Sequence, residues 1–407
     1  MGLGGHGSTV LPTRVDRLAP GLGSGGSGGR LSAVAGWRLA PCARRCGLGP
    51  AVGCVEGGRR WWVIRRNPLR AAPFGWCAGP VSAHEEFRDS LAAVSVRPLT
   101  LAWVSRHLAA GERITGIVAL RGGITAEMRR LTVRAPNGDT RHLVLRTVVD
   151  AKDAEGWLNR EADALALLAG TDVPAPALVA VDPTAAHCEF PSLLMTRLPG
   201  RTVLDDAGVA ARVPLLARQL VAIHAVRPAE RPREYEALTT ADTVVVPPGG
   251  DAAAWAAAID LIREPAPAYE GRFLHRDFQP GNVLFDVPPG APPGAPSAAR
   301  ITGVVDWATP SWGPADFDMA HCATNLAVLH GPEWGFRFAD AYEEAGGVLA
   351  ASERERRYWR VRDALALSEE VSLVSGPWRD AGRTELTPRA VAERLDAYVT
   401  AVMNAEV

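Results

Sequence analysis

The apolar residues of this chain change their period once, near Gly200, and that change constrains the fold more than any other feature. Before it, Ile114–Leu120, Arg129–Ala135 and His142–Val149 read as strands. APNGD (Ala135–Asp139) between the last two predicts a tight hairpin, because Asn137-Gly138 supplies the positive φ angles of a type I′ turn. Ala154–Ala169 places Trp157, Leu158, Leu165 and Leu168 as an amphipathic helix would, and Pro174 and Pro176 stop it. Ala177–Val181 and Ser192–Met195 follow as short strands, and a short helix over Leu99–Leu108 precedes the group. After Gly200 the pattern predicts helices over 207–226, 251–262, 315–329, 334–344, 353–374 and 388–404, interrupted by two β-like pieces, Val283–Phe285 and Ile301–Val305. The expected class is α+β: a β-rich N-lobe, a short bridge and a mostly helical C-lobe.

The division expected from this pattern is 82–197 for the N-lobe and 198–407 for the C-lobe. Residues 1–81 read differently, with GLGSGGSGG, many arginines and only Asp16 and Glu56 as acids. Such sequence cannot bury enough apolar area to offset its ordering entropy. The reading is a disordered arm or an extension translated from upstream of the true start, with the native chain beginning near Val81. Leu31–Ala43 is broken by Arg38 and Pro41 and makes no secretory signal.

With 44 basic and 45 acidic residues the net charge is −1, which argues against a nucleic-acid-wrapping protein. No uninterrupted apolar run reaches the ~18 residues of a membrane span. Six cysteines in 407 residues make no disulfide scaffold, and Cys42 and Cys46 lack the partner pair of a zinc site. Together these predict a cytoplasmic protein with neither nucleic acid nor membrane as partner.

The strongest chemical signal is FLHRDFQPGNVLFD, Phe273–Asp286, in which His275, Asp277 and Asn282 stand between apolar stretches. In phosphoryl transfer a carboxylate orients the attacking hydroxyl and accepts its proton, while an amide oxygen nearby holds a metal bound to the phosphates. A turning loop can bring Asp277 and Asn282 to one cleft, whereas a straight strand would hold them ~17 Å apart. Downstream, the apolar strand of ITGVVDW delivers Asp306, a hard oxygen donor suited to Mg²⁺. Between them lies a Pro/Gly-rich insertion, Val287–Ala299.

HRDFQPGN resembles the catalytic loop, and VVDW the metal-binding strand end, of the aminoglycoside phosphotransferase and choline kinase-like family of small-molecule kinases. The resemblance covers about Ile114–Val374 and implies a bilobal protein-kinase-like fold. It implies Asp277 as the catalytic carboxylate, Asn282 and Asp306 as Mg²⁺ ligands, and ATP or GTP as co-substrate. Gly122 and Gly123, between two strands, match the family's nucleotide loop, where glycines let backbone N–H groups approach phosphate. Arg146 stands where the family carries a cation for the α/β-phosphates; Lys152 is the rival, but lies beyond the strand. Glu161 matches the helix glutamate that pairs with that cation. Backbone groups around Met195–Arg197, in the bridge, would meet the adenine edge. His224 reads as a packing residue, and Asp316 or Asp318 as a buttress of the catalytic loop. SWGPADFDMAH departs from the family's Gly-Asp-Pro pattern at Gly313-Pro314. The lack of an Ala-Pro-Glu segment after Asp306 argues against a protein kinase.

The expected activity is transfer of the nucleotide γ-phosphate to a small-molecule hydroxyl. The alternatives are a catalytically silent nucleotide-binding module of this fold, or a macrolide, choline or homoserine kinase. Glu333, Glu343, Glu344, Glu369 and Glu370 are candidates for an acidic acceptor pocket, and Trp334, Trp359 and Trp378 for an apolar one.

Overall fold

Alternation in the first lobe builds a five-stranded antiparallel sheet, in the order β1-β2-β3-β5-β4. The computed structural model describes residues 97–120, 126–149, 152–237, 239–286 and 300–405. The arm over 1–81, the loop holding Gly122 and Gly123, and the insertion Val287–Ala299 therefore lie outside the described residues. The strands are β1 (Arg113–Leu120), β2 (Glu127–Arg134), β3 (Thr140–Thr147), β4 (Leu178–Asp182) and β5 (Ser192–Thr196). Helix α1 (Pro98–Arg106) precedes them, and α2 (Ala154–Leu168) lies between β3 and β4.

The two-residue side-chain period of β3 sorts its residues between two cores. Leu143 and Leu145 pack with Trp103 and Val104 of α1. Val144 packs with Leu158 and Leu165 of α2. Arg146 shares the parity of Val144, and that places a cation on the α2 side of the sheet. The β2–β3 hairpin departs from expectation. Gly138 N–H donates to Ala135 O at 3.0 Å, and Gly138, at φ 93°, is the residue in the left-handed region. This is a turn with Pro136 in its second position, followed by a glycine bulge. A type I′ turn needs a positive φ at its second position, and proline, with φ fixed near −65°, excludes it there.

The C-lobe contains α3 (Val209–His224), α4 (Ala252–Arg263), α5 (Ala315–His330), α6 (Pro332–Glu344), α7 (Glu353–Asp380) and α8 (Pro388–Asn404). Helix α5 is its axis: most of its residues are buried, all round the helix, as befits a helix enclosed by others. Helix α7 runs past the expected end at Val374 and through Pro377, and the buried Trp378 beyond packs into the core with Leu365 and Leu395. Among the described residues no helix is long and apolar enough to cross a membrane.

Two short hairpin-like pairings sit where the lobes join. β7 (Val283–Asp286) pairs with β8 (Arg300–Val304), as the two β-like pieces predicted. β6 (Gly271–Leu274) pairs with β9 (Ser311–Pro314), which the sequence pattern did not announce. The segment after β5 is pinned to the first pair: Arg201 N–H donates to Phe285 O at 3.1 Å, and Phe285 N–H returns a bond to Arg201 O at 2.8 Å. Gly200, at φ 91°, allows this approach, since a Cβ there would lie 2.8 Å from the Phe285 carbonyl oxygen.

Candidate active site

The segment between β6 and β7 carries His275, Asp277 and Asn282 and is fixed from below by a buried acid. Asp318, in the first turn of α5, accepts the backbone N–H of His275 at 2.7 Å and of Arg276 at 2.9 Å. Arg276 is held at φ 77°, a costly conformation for a non-glycine residue that the Asp318 bonds help to maintain. Burial opposes the charge of Asp318, but His224 beside it and these donors outweigh that and hold its pKa below the ordinary carboxylate value. His224 in turn bonds Tyr342 Oη at 2.6 Å. Asp316 is placed otherwise: it accepts the N–H of Ala350 with both oxygens at 3.1 Å. Of the two candidate buttresses, Asp318 is the one that touches the loop.

His275 ties the loop to the second acid-bearing strand. Its Nδ1 accepts the N–H of Asp277 at 3.2 Å, and its Nε2 lies 3.1 Å from Val305 O. Burial lowers its pKa, so the ring is neutral with the proton on Nε2, the tautomer that both bonds require. Asn282 faces Asp277 across the turn: its Nδ2 donates to Asp277 O and Oδ2, each at 2.9 Å. The Asn282 carbonyl accepts Val305 N–H at 2.9 Å, which places Asn282 beside the strand end that leads to Asp306. Asp306 itself has φ 66° and a side chain 42% exposed.

The N-lobe completes this arrangement with one cation. Arg146 Nη1 contacts Glu161 at 3.1 and 3.0 Å and Asp306 Oδ1 at 2.8 Å. Arg146 and Glu161 are both buried, and Glu161 comes from the middle of α2. Burial opposes the Arg146 charge, but Glu161 and Asp306 outweigh it and hold the pKa above the ordinary arginine value. Burial pushes the Glu161 carboxyl up to about 7, against the pull of Arg146. One guanidinium thus touches two carboxyl groups, the buried Glu161 and the more exposed Asp306. Lys152 is exposed and precedes α2.

The chemistry of the donors fits Mg²⁺. With Nδ2 engaged twice, the Asn282 amide keeps Oδ1 as a hard oxygen donor, and the half-exposed Asp306 offers carboxylate oxygens beside it. Mg²⁺ takes one or two such protein oxygens and fills its remaining positions with phosphate and water. In the bridge, Met195 lies inside β5, paired with Val144 and Leu178. Arg197 is exposed, and its N–H is engaged with His142 O at 3.1 Å. A base edge would therefore meet carbonyls or later residues of the bridge rather than the Arg197 N–H.

Two functional candidates were missed in the sequence. His321 Nε2 lies 3.0 Å from Asp277 Oδ1, and His321 Nδ1 lies 2.9 Å from Asp363 Oδ1. The available signal was weak: His321 stands three residues after Asp318, on the same face of α5. The pocket candidates also need correction. Trp359 is fully buried and Trp378 nearly so, both in core packing, so neither lines an acceptor site. Glu343 pairs with Arg356, and Glu333 stands in the first turn of α6. Glu370, on α7, has His321 and Asp277 among the charges that act on it.

The profile of the phosphotransferase enzyme family (APH) matches residues 117–360. No curated protein matches the chain in sequence. Among solved structures, a thermostable mutant of the aminoglycoside phosphotransferase APH(4)-Ia, in ternary complex with ADP and hygromycin B, is 19% identical with a TM-score of 0.50. The match covers 77% of this chain and 100% of that one. An aminoglycoside-3′-phosphotransferase of type VIII is 22% identical over 69% of this chain and 99% of its own, with a TM-score of 0.45. A choline/ethanolamine kinase family protein from Mesorhizobium loti is 20% identical over 79% and 95%, with a TM-score of 0.42. At such identities the likeness to the first is one of fold.

Proposed function

This chain belongs to the phosphotransferase enzyme family, and from that premise we propose that it transfers the γ-phosphoryl group of ATP or GTP to a hydroxyl of a small molecule. The observation that carries the reading is the joined set Asp277–Asn282–Val305–Asp306, which brings a loop carboxylate, an amide and a strand-end carboxylate to one place. In this reading Asp277 receives the acceptor hydroxyl, orients its oxygen in line with the γ-phosphorus and takes its proton as the new P–O bond forms. The bond from phosphorus to the β,γ-bridging oxygen breaks, and the nucleoside diphosphate leaves.

Asn282 and Asp306 would hold Mg²⁺, which supplies charge neutralisation between the phosphates when bound. Arg146 exchanges its contact with Asp306 for phosphate oxygens, while Glu161 keeps the guanidinium in place. Gly122 and Gly123 close over the phosphates, and the bridge from Met195 to Arg197 frames the base. Residues 82–197 act as the nucleotide lobe, and 198–407 carry the catalytic loop and acceptor site. Positioning and electrostatics supply most of the acceleration, since this reaction needs little covalent help.

The test is release of ADP or GDP by the purified chain across aminoglycosides, macrolides, choline, homoserine and sugars. Acceptor-dependent release that vanishes with Asp277→Ala supports the reading. Release that is indifferent to Asp277 overturns it.

A further inference from the structure

We propose that His321, anchored by the buried carboxylate of Asp363, is a positioning residue that clamps the working carboxylate of Asp277. The inference rests on the phosphotransferase reading above. Three elements meet in a line. Asp363 comes from α7 with its side chain only 6% exposed, His321 from α5, and Asp277 from the loop, its side chain 39% exposed. The contacts are 2.9 Å from Asp363 Oδ1 to His321 Nδ1 and 3.0 Å from His321 Nε2 to Asp277 Oδ1. The other oxygen of Asp277 accepts Asn282 Nδ2 at 2.9 Å. Both oxygens are thus gripped by donors from different elements, so the carboxylate plane cannot turn without breaking one of them. Each oxygen keeps a further lone pair for an acceptor hydroxyl.

The geometry also sets the charge on the ring. Each imidazole nitrogen faces a carboxylate oxygen, and a neutral ring would turn a lone pair on one of them. Two N–H donors satisfy both, which makes His321 an imidazolium. Burial opposes that charge, yet Asp363 and Asp277 outweigh it and raise the His321 pKa well above the ordinary value. The groups touching the ring are Asp277 from the loop, Asp363 from α7 and the neutral Asn325 amide from α5 itself, 3.4 Å from Nε2, and Glu370 on α7 is a further acid whose charge interacts with it. Arg276, on the loop, is a cation on which the Asp363 charge acts.

A clamp of this kind makes Asp277 a better-aimed acceptor. That suits a loose transition state, in which the attacking hydroxyl loses its proton late. It acts on turnover and leaves the nucleotide untouched. Loss of the imidazolium proton at high pH would leave a lone pair facing a carboxylate and release the grip.

The experiment measures ADP release from Mg-ATP by the full chain, with the most active acceptor of the panel, or with water where none is active. His321→Leu should lower kcat on the order of 100-fold while the KM for ATP stays within about threefold. His321→Gln, which can still donate to Asp277 but does not titrate, should recover to within roughly tenfold of wild type and lose the alkaline fall of kcat that wild type shows. Asp363→Asn should move that fall to lower pH. His321→Leu at the wild-type rate, a KM for ATP that rises in step with the loss of kcat, or an unaltered alkaline fall in His321→Gln overturns the inference and leaves the reading standing. A wild-type chain that releases no ADP under any of these conditions overturns the reading, and this inference with it.

Discussion

Asp277 and Asp306 border the same site, but they are held by different means. Asp306 is gripped from one side, by a guanidinium that it shares with the buried Glu161. Asp277 is gripped from both sides, by His321 and Asn282, on a loop whose backbone is itself held by Asp318. The first arrangement is an exchangeable ion pair: a phosphate or a divalent ion can replace either partner. The second is a fixed frame, and nothing in it has to move when substrates enter. On the proposed reading, the contrast separates a binding half from an aiming half.

Removing each acid tests that division most sharply. Asp277→Ala should reduce transfer by roughly 1,000-fold or more, with nucleotide affinity almost unchanged, as measured by turnover and calorimetric titration. Asp306→Ala should do the opposite first, removing the Mg²⁺-dependent share of nucleotide affinity. A direct oxygen ligand should count for at least as much as an outer partner, on the order of 100-fold. Equal losses of affinity in both variants would erase the distinction.

Smaller effects should appear in stability. Asp318→Ala leaves two backbone N–H groups of the loop without their acceptor and should cost about 3 kcal/mol, read as a lower denaturation midpoint. A change below ~0.5 kcal/mol would mean that the loop holds itself. The His321 clamp predicts a pH dependence of known sign. Its folded pKa lies well above the ordinary histidine value of about 6.5, so its contribution to stability is complete below that value and is lost as pH rises through the folded pKa. Wild type should therefore lose stability on the alkaline side relative to His321→Gln, as seen by melting temperature against pH, and parallel curves would count against the clamp.

The binding half was largely legible in the sequence and the aiming half only in part. Asp277 and Asn282 lie five residues apart, and the strand that leads to Asp306 announces itself by its apolar run. Arg146 and Glu161 follow from the family resemblance, with strand position favouring Arg146 over Lys152, and the fold adds that both are buried. The partners of Asp277 are of another kind, since His321 is 44 residues away and meets Asp363 a further 42 residues on. Pairings at such distance leave no local period, and a histidine in a helix reads as ordinary core. The same blindness hid the β6–β9 pair, four residues on each side. Tryptophans 359 and 378 misled for a related reason: bulk and aromaticity suit a pocket and a core equally, and only packing decides. At the hairpin, Asn137-Gly138 suggested one turn type, but the φ fixed by the preceding Pro136 selected another.

A crystal structure of the full chain with Mg²⁺ and a non-hydrolysable ATP analogue tests the central claim most directly. The account predicts one ion about 2.1 Å from both Asn282 Oδ1 and an Asp306 oxygen, with the γ-phosphate facing Asp277 and Arg146 moved from Asp306 to phosphate. Nucleotide bound away from these residues, or an ion that touches neither Asn282 nor Asp306, would contradict it.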